Sequence, residues 1–337
     1  MTKHAHIALA LGLAMVGLLV LSLHGERRPE PVVVNLLAGP PQPRVPAGEA
    51  GMDPAALQVA VDYAGARRSS ALIVGRGGHI VFEKYWNGTT AETPVAPGFD
   101  PALVALAVGS ALDDRKIGSL DGTVSNYIPD AAASDGAMTL RELLAGDQAA
   151  VSLEQATDLL ALVLERATAQ PYETLVADRL WKPLGGGSLE FQRRGSQRRP
   201  QGVSAACCVQ VRLGDWMRVG ELLANDGSFE GSPLTPPRFV SLMLHPAHKE
   251  SPRGYFTRVD GAFAAHDVAW LEGSNKQRLW IVPSLKLAIL RLGDAPSSSE
   301  GWDEAMIPDS IIRGTSGWQP AHEKPASTTD PSLYAPH

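Results

Sequence analysis

Gly98-Phe-Asp-Pro-Ala-Leu-Val-Ala-Leu-Ala-Val-Gly109, followed by Asp113-Asp-Arg-Lys-Ile-Gly-Ser-Leu-Asp121, is the stretch on which the reading of this chain turns. Its apolar run predicts a helix over residues 101–114. Asp100 can cap the first exposed amides, and Pro101 suits the first helical position, where a missing N–H costs nothing. Upstream, Ser70 to Val74 and His79 to Tyr85 are apolar, β-branched runs around Gly75-Arg-Gly-Gly78, a hairpin signal. Downstream, Leu153 to Ala169 and Leu213 to Ala224 carry apolar stripes at helical spacing. A second pair of runs, Gln277 to Val282 and Leu287 to Leu292, flanks Pro283-Ser284, and Met306, Ile307, Ile311 and Ile312 suggest a last helix. Strands at both ends with helices between them imply an α+β domain, in which the two hairpins share one antiparallel sheet and a helical region is inserted.

The 337 residues, 44% of them hydrophobic and 20% charged, can bury a substantial core. A net charge of -6 supplies no basic field for a phosphate backbone, which argues against nucleic acid as a partner. Arg193, Arg194, Arg198 and Arg199 read as a solvated loop among Gly, Ser and Pro. Cys207 and Cys208 are adjacent, and bridging neighbours strains the peptide between them, so no structural disulfide is expected. At the N-terminus, Lys3, His4 and His6 precede an uncharged apolar run over residues 7–23, read with residues 1–28 as a signal anchor or signal peptide. A retained anchor is favoured, with the membrane as partner. Residues 29–50, rich in proline, read as a linker, residues 51–318 as the folded domain, and residues 319–337 as a disordered tail.

Several segments taken together resemble the class C β-lactamase-related serine hydrolases, the penicillin-recognising type. They are Ala105 to Gly109, Asp113 to Asp121, Val124-Ser-Asn-Tyr-Ile-Pro129, Met138-Thr-Leu-Arg-Glu-Leu-Leu144, Leu162 to Thr168, Leu180-Trp-Lys-Pro-Leu-Gly185, Cys207-Cys208 leading to Asp215-Trp216, Leu222 to Gly227 and Leu279-Trp-Ile-Val-Pro283. The resemblance implies a β-lactamase/transpeptidase-like fold with helices on both sides of the sheet. It also implies a bacterial protein with its domain in the periplasm, single-pass in the inner membrane, or secreted if the signal is cleaved.

The same resemblance implies a serine nucleophile, a lysine one helical turn later, a tyrosine or serine from the helical region, and a Lys-Thr-Gly-like strand facing the substrate. Register set on Ile117, and independently on Ala105 to Gly109, puts the nucleophile position at Gly98 and the lysine position at Pro101. No Ser-x-x-Lys occurs anywhere in the chain. The tyrosine position falls near Ser152, and the third motif at Gly273-Ser-Asn-Lys-Gln277, where Ser274 or Lys276 could still contact an anion. Tyr85-Trp-Asn87 and Lys116-Ile-Gly118 match motif patterns at the wrong places, and no Gly-x-Ser-x-Gly offers another nucleophile.

The reading is therefore a tethered pseudoenzyme that binds or regulates, with a cell-wall peptide or a protein as partner. Two alternatives stand beside it: an active hydrolase of small esters, amides or cell-wall peptides using a serine such as Ser110, Ser152 or Ser274, and a structural or assembly protein. His245, His248, Glu250, His266 and Asp267 are candidate metal ligands, and His266 with Asp267 a candidate acid/base couple; Pro246 breaks the helical spacing, and no metal or cofactor is expected.

Overall fold

Both predicted hairpins form, and the strand that joins them lies at the centre of the sheet. The computed structural model describes residues 29–146, 151–194 and 202–320. Along the chain run β1 (Val32–Val34), α1 (Pro54–Gly65), β2 (Ser69–Arg76), β3 (His79–Tyr85), α2 (Asp100–Asp113), α3 (Leu140–Ala145), α4 (Leu153–Thr168), β4 (Leu189–Phe191), α5 (Asp215–Ala224), α6 (Pro237–Leu244), β5 (Ala269–Glu272), β6 (Arg278–Val282), β7 (Leu287–Gly293) and α7 (Met306–Arg313), with shorter turns between them. The main sheet has the order β3-β2-β7-β6-β5, antiparallel throughout, with Ile73 opposite Leu290 where the N-terminal hairpin meets the C-terminal one.

The strands are continuous apolar runs because both faces are covered. Leu72, Val74, Trp280, Val282, Leu287 and Ile289 point into a core shared with α1 and α7. Their neighbours Ala71, Ile73, Leu279, Ile281, Ala288 and Leu290 point into the larger core, shared with α2, α4 and α5. Period-two alternation thus sorts one sequence between two layers. Helix α2 is apolar all round and buried from Asp100 to Ala111, which makes it the axis of the helical layer.

Of the elements that the sequence reading does not mark, two border the main sheet. Helix α1 has a visible start signal: Asp53 accepts the Ala55 amide at 2.9 Å and Pro54 occupies the first turn, ahead of a stripe of Leu57, Ala60, Val61 and Ala64. Strand β5 is four residues long and forms the sheet edge, so residues 273–277 are the turn that joins it to β6.

The proline-rich stretch read as a linker is instead laid over the domain from Val32 on. β1 pairs antiparallel with β4, the Gly39 amide donates to Gly185 O at 2.9 Å, and Arg218 donates to Pro40 O at 2.5 Å. Ile80 donates to Pro43 O and Val45 donates to Ile80 O, which ties the same strap to β3. Proline leaves carbonyls without neighbouring amides, and here those carbonyls find donors in the body. The adjacent cysteines are also corrected: Cys207 and Cys208 are bridged, with Cys208 in the left-handed region at φ 77°, a backbone turn that brings the two side chains together. No helix among the described residues is long and apolar enough to cross a membrane. The expected anchor, residues 7–23, and most of the expected tail lie outside the described residues.

Candidate functional site

The start of α2 is docked on the β5–β6 turn, so the structure brings together two of the three stretches singled out in the sequence. Gly98 is half-buried in the left-handed region at φ 88°. A Cβ added there would lie 3.6 Å from Gly273 Cα and 3.7 Å from the Ser274 amide nitrogen, so a side chain at this position would face that amide. The contact is tight one residue earlier. A Cβ on Gly273 would overlap the Pro97 carbonyl oxygen, which also accepts a hydrogen bond from Gln277 Nε2 at 3.4 Å. Pro101 lies in the buried first turn of α2.

Asp100 does not cap the helix, contrary to expectation. The cap position is Phe99, with no side-chain cap bond, and Asp100 is already helical. Its Oδ1 accepts the Val209 amide at 2.7 Å, and the Cys208 amide also donates to the carboxylate, while Oδ2 is buried without a hydrogen-bond partner. Burial pushes this carboxyl up to about 6, although the amides of Val209, Cys208 and Asp100 itself favour the charged form. The carboxyl therefore ties the start of α2 to the loop carrying the cysteine pair. Phe99 packs edge-on against Trp216, which in turn packs edge-on against Trp181, so the helix start rests on an aromatic row.

On the other side of the contact, Asn275 and Lys276 are left-handed, at φ 56° and 59°. Their carbonyls accept from Arg291 Nη1 at 2.9 and 3.2 Å. Arg291 is fully buried on β7 and donates further to Ser69 Oγ, Arg67 O and Asp294 O. Burial and the neighbouring Arg278 lower its pKa to about 10. Nothing in the local sequence marks this arginine except its charge inside an apolar strand. Ser274 Oγ accepts only a long contact from Gln277, at 3.5 Å, and both Ser274 and Lys276 are exposed.

Ser152 has a helix-start role. Its Oγ accepts the Gln155 amide at 3.1 Å while Gln155 Oε1 accepts the Ser152 amide at 3.0 Å, a reciprocal capping box at the start of α4. Ser110 donates to Leu234 O within the buried length of α2. Asp267 is engaged by the Ser284 amide and hydroxyl at 2.7 and 2.9 Å, holding the Pro283-Ser284 turn, and His245 turns back on Ser241 at the end of α6. Tyr85 donates to Glu83, and burial raises its pKa.

A separate cavity of about 210 Å³ lies beneath the strap, among Gln42, Arg44, Glu83, Glu92, Arg212 and Met217. Its charges pair with one another, Arg44 with Glu83 and Arg212 with Asp215 and Glu92, and none of the sequence-predicted site residues lines it. Gly98 and Pro101 themselves carry neither hydroxyl nor amine, and the atoms nearest a Cβ at Gly98 are Gly273 Cα and the Ser274 amide nitrogen.

No family model matches the chain, and no curated protein matches it. Solved structures do. A putative 6-aminohexanoate-dimer hydrolase from Bacillus anthracis is 15% identical, with 80% of this chain and 87% of that one covered at a TM-score of 0.63. A putative β-lactamase from Bacteroides dorei DSM 17855 is 16% identical over 78% of this chain and 99% of that one, at 0.62. A penicillin-binding protein homologue from Caulobacter crescentus is 12% identical over 77% and 96%, at 0.59. At this identity the likeness establishes the fold: a central antiparallel sheet with helical layers, as in β-lactamases and penicillin-binding proteins.

Proposed function

We propose that this chain is a binding or regulatory protein built on the serine-hydrolase fold of β-lactamases and penicillin-binding proteins, without hydrolytic turnover. The observation that carries the reading is Gly98. Gly98, at φ 88°, faces the Ser274 amide, and the resemblance implies that the nucleophile would stand there and the lysine at Pro101. Without a hydroxyl and a base beside it, the contact can hold a carbonyl or carboxylate oxygen but cannot form an acyl-enzyme. The fitting ligand class is a cell-wall peptide or a protein segment, presented to a periplasmic domain held on the membrane by residues 7–23. Ser152, fully engaged as a helix cap, fits this reading better than a rearranged active site does.

The test is covalent labelling of the folded protein with a fluorescent penicillin and, separately, with a fluorophosphonate. No stoichiometric label is expected from either. Modification of one specific serine, abolished by its replacement with alanine, would refute the proposal. For the tether, the full chain should sediment with membranes through alkaline carbonate washing, and removal of residues 1–28 should release it to the soluble fraction.

A further inference from the structure

The bridged cysteines sit in a loop pinned at both ends by carboxylates. Asp158 on α4 accepts the Ala205 amide at 2.9 Å, and Asp100 at the start of α2 accepts Val209 at 2.7 Å together with Cys208. Between the pins, Cys207 and Cys208 are each half-buried, and Ser204 Oγ lies 3.9 Å from Cys207 Sγ. A bridge between chain neighbours closes no loop, so it removes almost no entropy from the unfolded chain and cannot act as a staple. Asp100 is the second, independent feature: 2% exposed, pressed against the Cys208 backbone, with one carboxyl oxygen that no group satisfies. An orphaned buried carboxyl oxygen is costly unless it has a proton to hold or a partner that comes and goes.

We propose that Cys207–Cys208 is a thiol–disulfide exchange site whose co-substrate is a dithiol, with Asp100 as the buried acid that protonates the departing sulfur. In reduction, one thiolate of the dithiol attacks Cys207 Sγ, the Cys207–Cys208 bond breaks, and the electron pair leaves on Cys208 Sγ, which takes the Asp100 proton. The second thiolate attacks the mixed disulfide, and the pair leaves on Cys207 Sγ, which is protonated from solvent. The dithiol is oxidised to its disulfide and the cysteines are reduced to two thiols. The two protons shed by the dithiol balance those taken from solvent by Cys207 and by Asp100 as it recovers its own. This activity does not depend on whether the neighbouring contact at Gly98 binds a ligand.

The state of Asp100 fits the role. Its carboxyl is held up by burial, and among the described residues no charged side chain opposes or assists it; Asp158, which pins the other end of the loop, acts on Ala205. The test exposes the folded full-length protein to dithiothreitol between pH 5 and 8. Samples are quenched with acid and a maleimide, and the masses are read. Two labels are expected on the folded protein. The reduction rate per dithiothreitol thiolate is expected to fall about tenfold as pH rises through about 6, the range in which Asp100 loses its proton. Asp100→Asn is expected to flatten that step, and Cys208→Ser to trap Cys207 as a stable mixed disulfide with glutathione. Labels that enter only in denaturant, a flat wild-type profile, or the same step in Asp100→Asn would overturn the proposal. So would two free thiols in the isolated protein that oxidised dithiothreitol fails to close. Should Asp100→Asn not fold, the wild-type profile decides alone.

Discussion

At φ 88°, Gly98 holds a conformation that costs a residue with a Cβ roughly 1–2 kcal/mol, although the space for that Cβ exists. Gly98→Ala should therefore lower unfolding free energy by about that amount in urea, with an unchanged slope. The same strain falls on a serine at this position. Gly98→Ser combined with Pro101→Lys should give a less stable protein in the same urea measurement, because serine at φ 88° bears the same backbone cost as alanine. Asp100 makes a pH prediction of definite sign. Its carboxyl titrates near 6 in the fold against an ordinary 3.8, a raised value, so its contribution is fully favourable below 3.8 and is lost as pH climbs through 6. The loss is about 3 kcal/mol for a shift of about two units. Melting temperature measured from pH 4 to 7 should decline more in the wild type than in Asp100→Asn.

At the scale of elements, Ser152→Ala separates two roles for one hydroxyl. Loss of the capping box should cost about 1 kcal/mol of stability, and any ligand binding should survive at a temperature where the variant is folded. Arg291→Met should be more damaging, about 2–4 kcal/mol, since four carbonyls lose their donor and the turn of Asn275 and Lys276 loses its brace. These two residues also mark how far the sequence could be read. Ser152 stands three residues before Gln155 at the head of an apolar stripe, so its capping role was visible locally. Arg291 was not legible, because its partners lie on Ser69, Arg67, Asn275 and Lys276, far away along the chain. The two hairpins were legible from their turn residues, and α2 and α4 from their apolar runs. β5 was too short, and the bridge of Cys207 to Cys208 depends on one left-handed residue that composition does not announce.

For the whole molecule, the strap is the feature that composition described wrongly. Six prolines between residues 29 and 46 signal extended chain, and extended chain it is, but its partners are in the body rather than in solvent. Truncation tests this. Removing residues 1–50 should lower the melting temperature by about 5 °C or more, and by more than removing residues 1–31 does, since the pairing with β4, the Arg218 contact to Pro40 and the bonds to Ile80 go together. A free spacer would give no difference between the two. The strap also decides how the domain meets mechanical load. Tension applied at residue 31 falls first on the three-residue pairing of β1 with β4, then on Gly39 and Pro40, and only afterwards on the bonds of Pro43 and Val45 to Ile80. Each contact must give way before the next one bears force, so a pull from the N-terminal side peels the strap in steps, and the five-stranded sheet is loaded only at the last of them, through Ile80 on its edge strand β3.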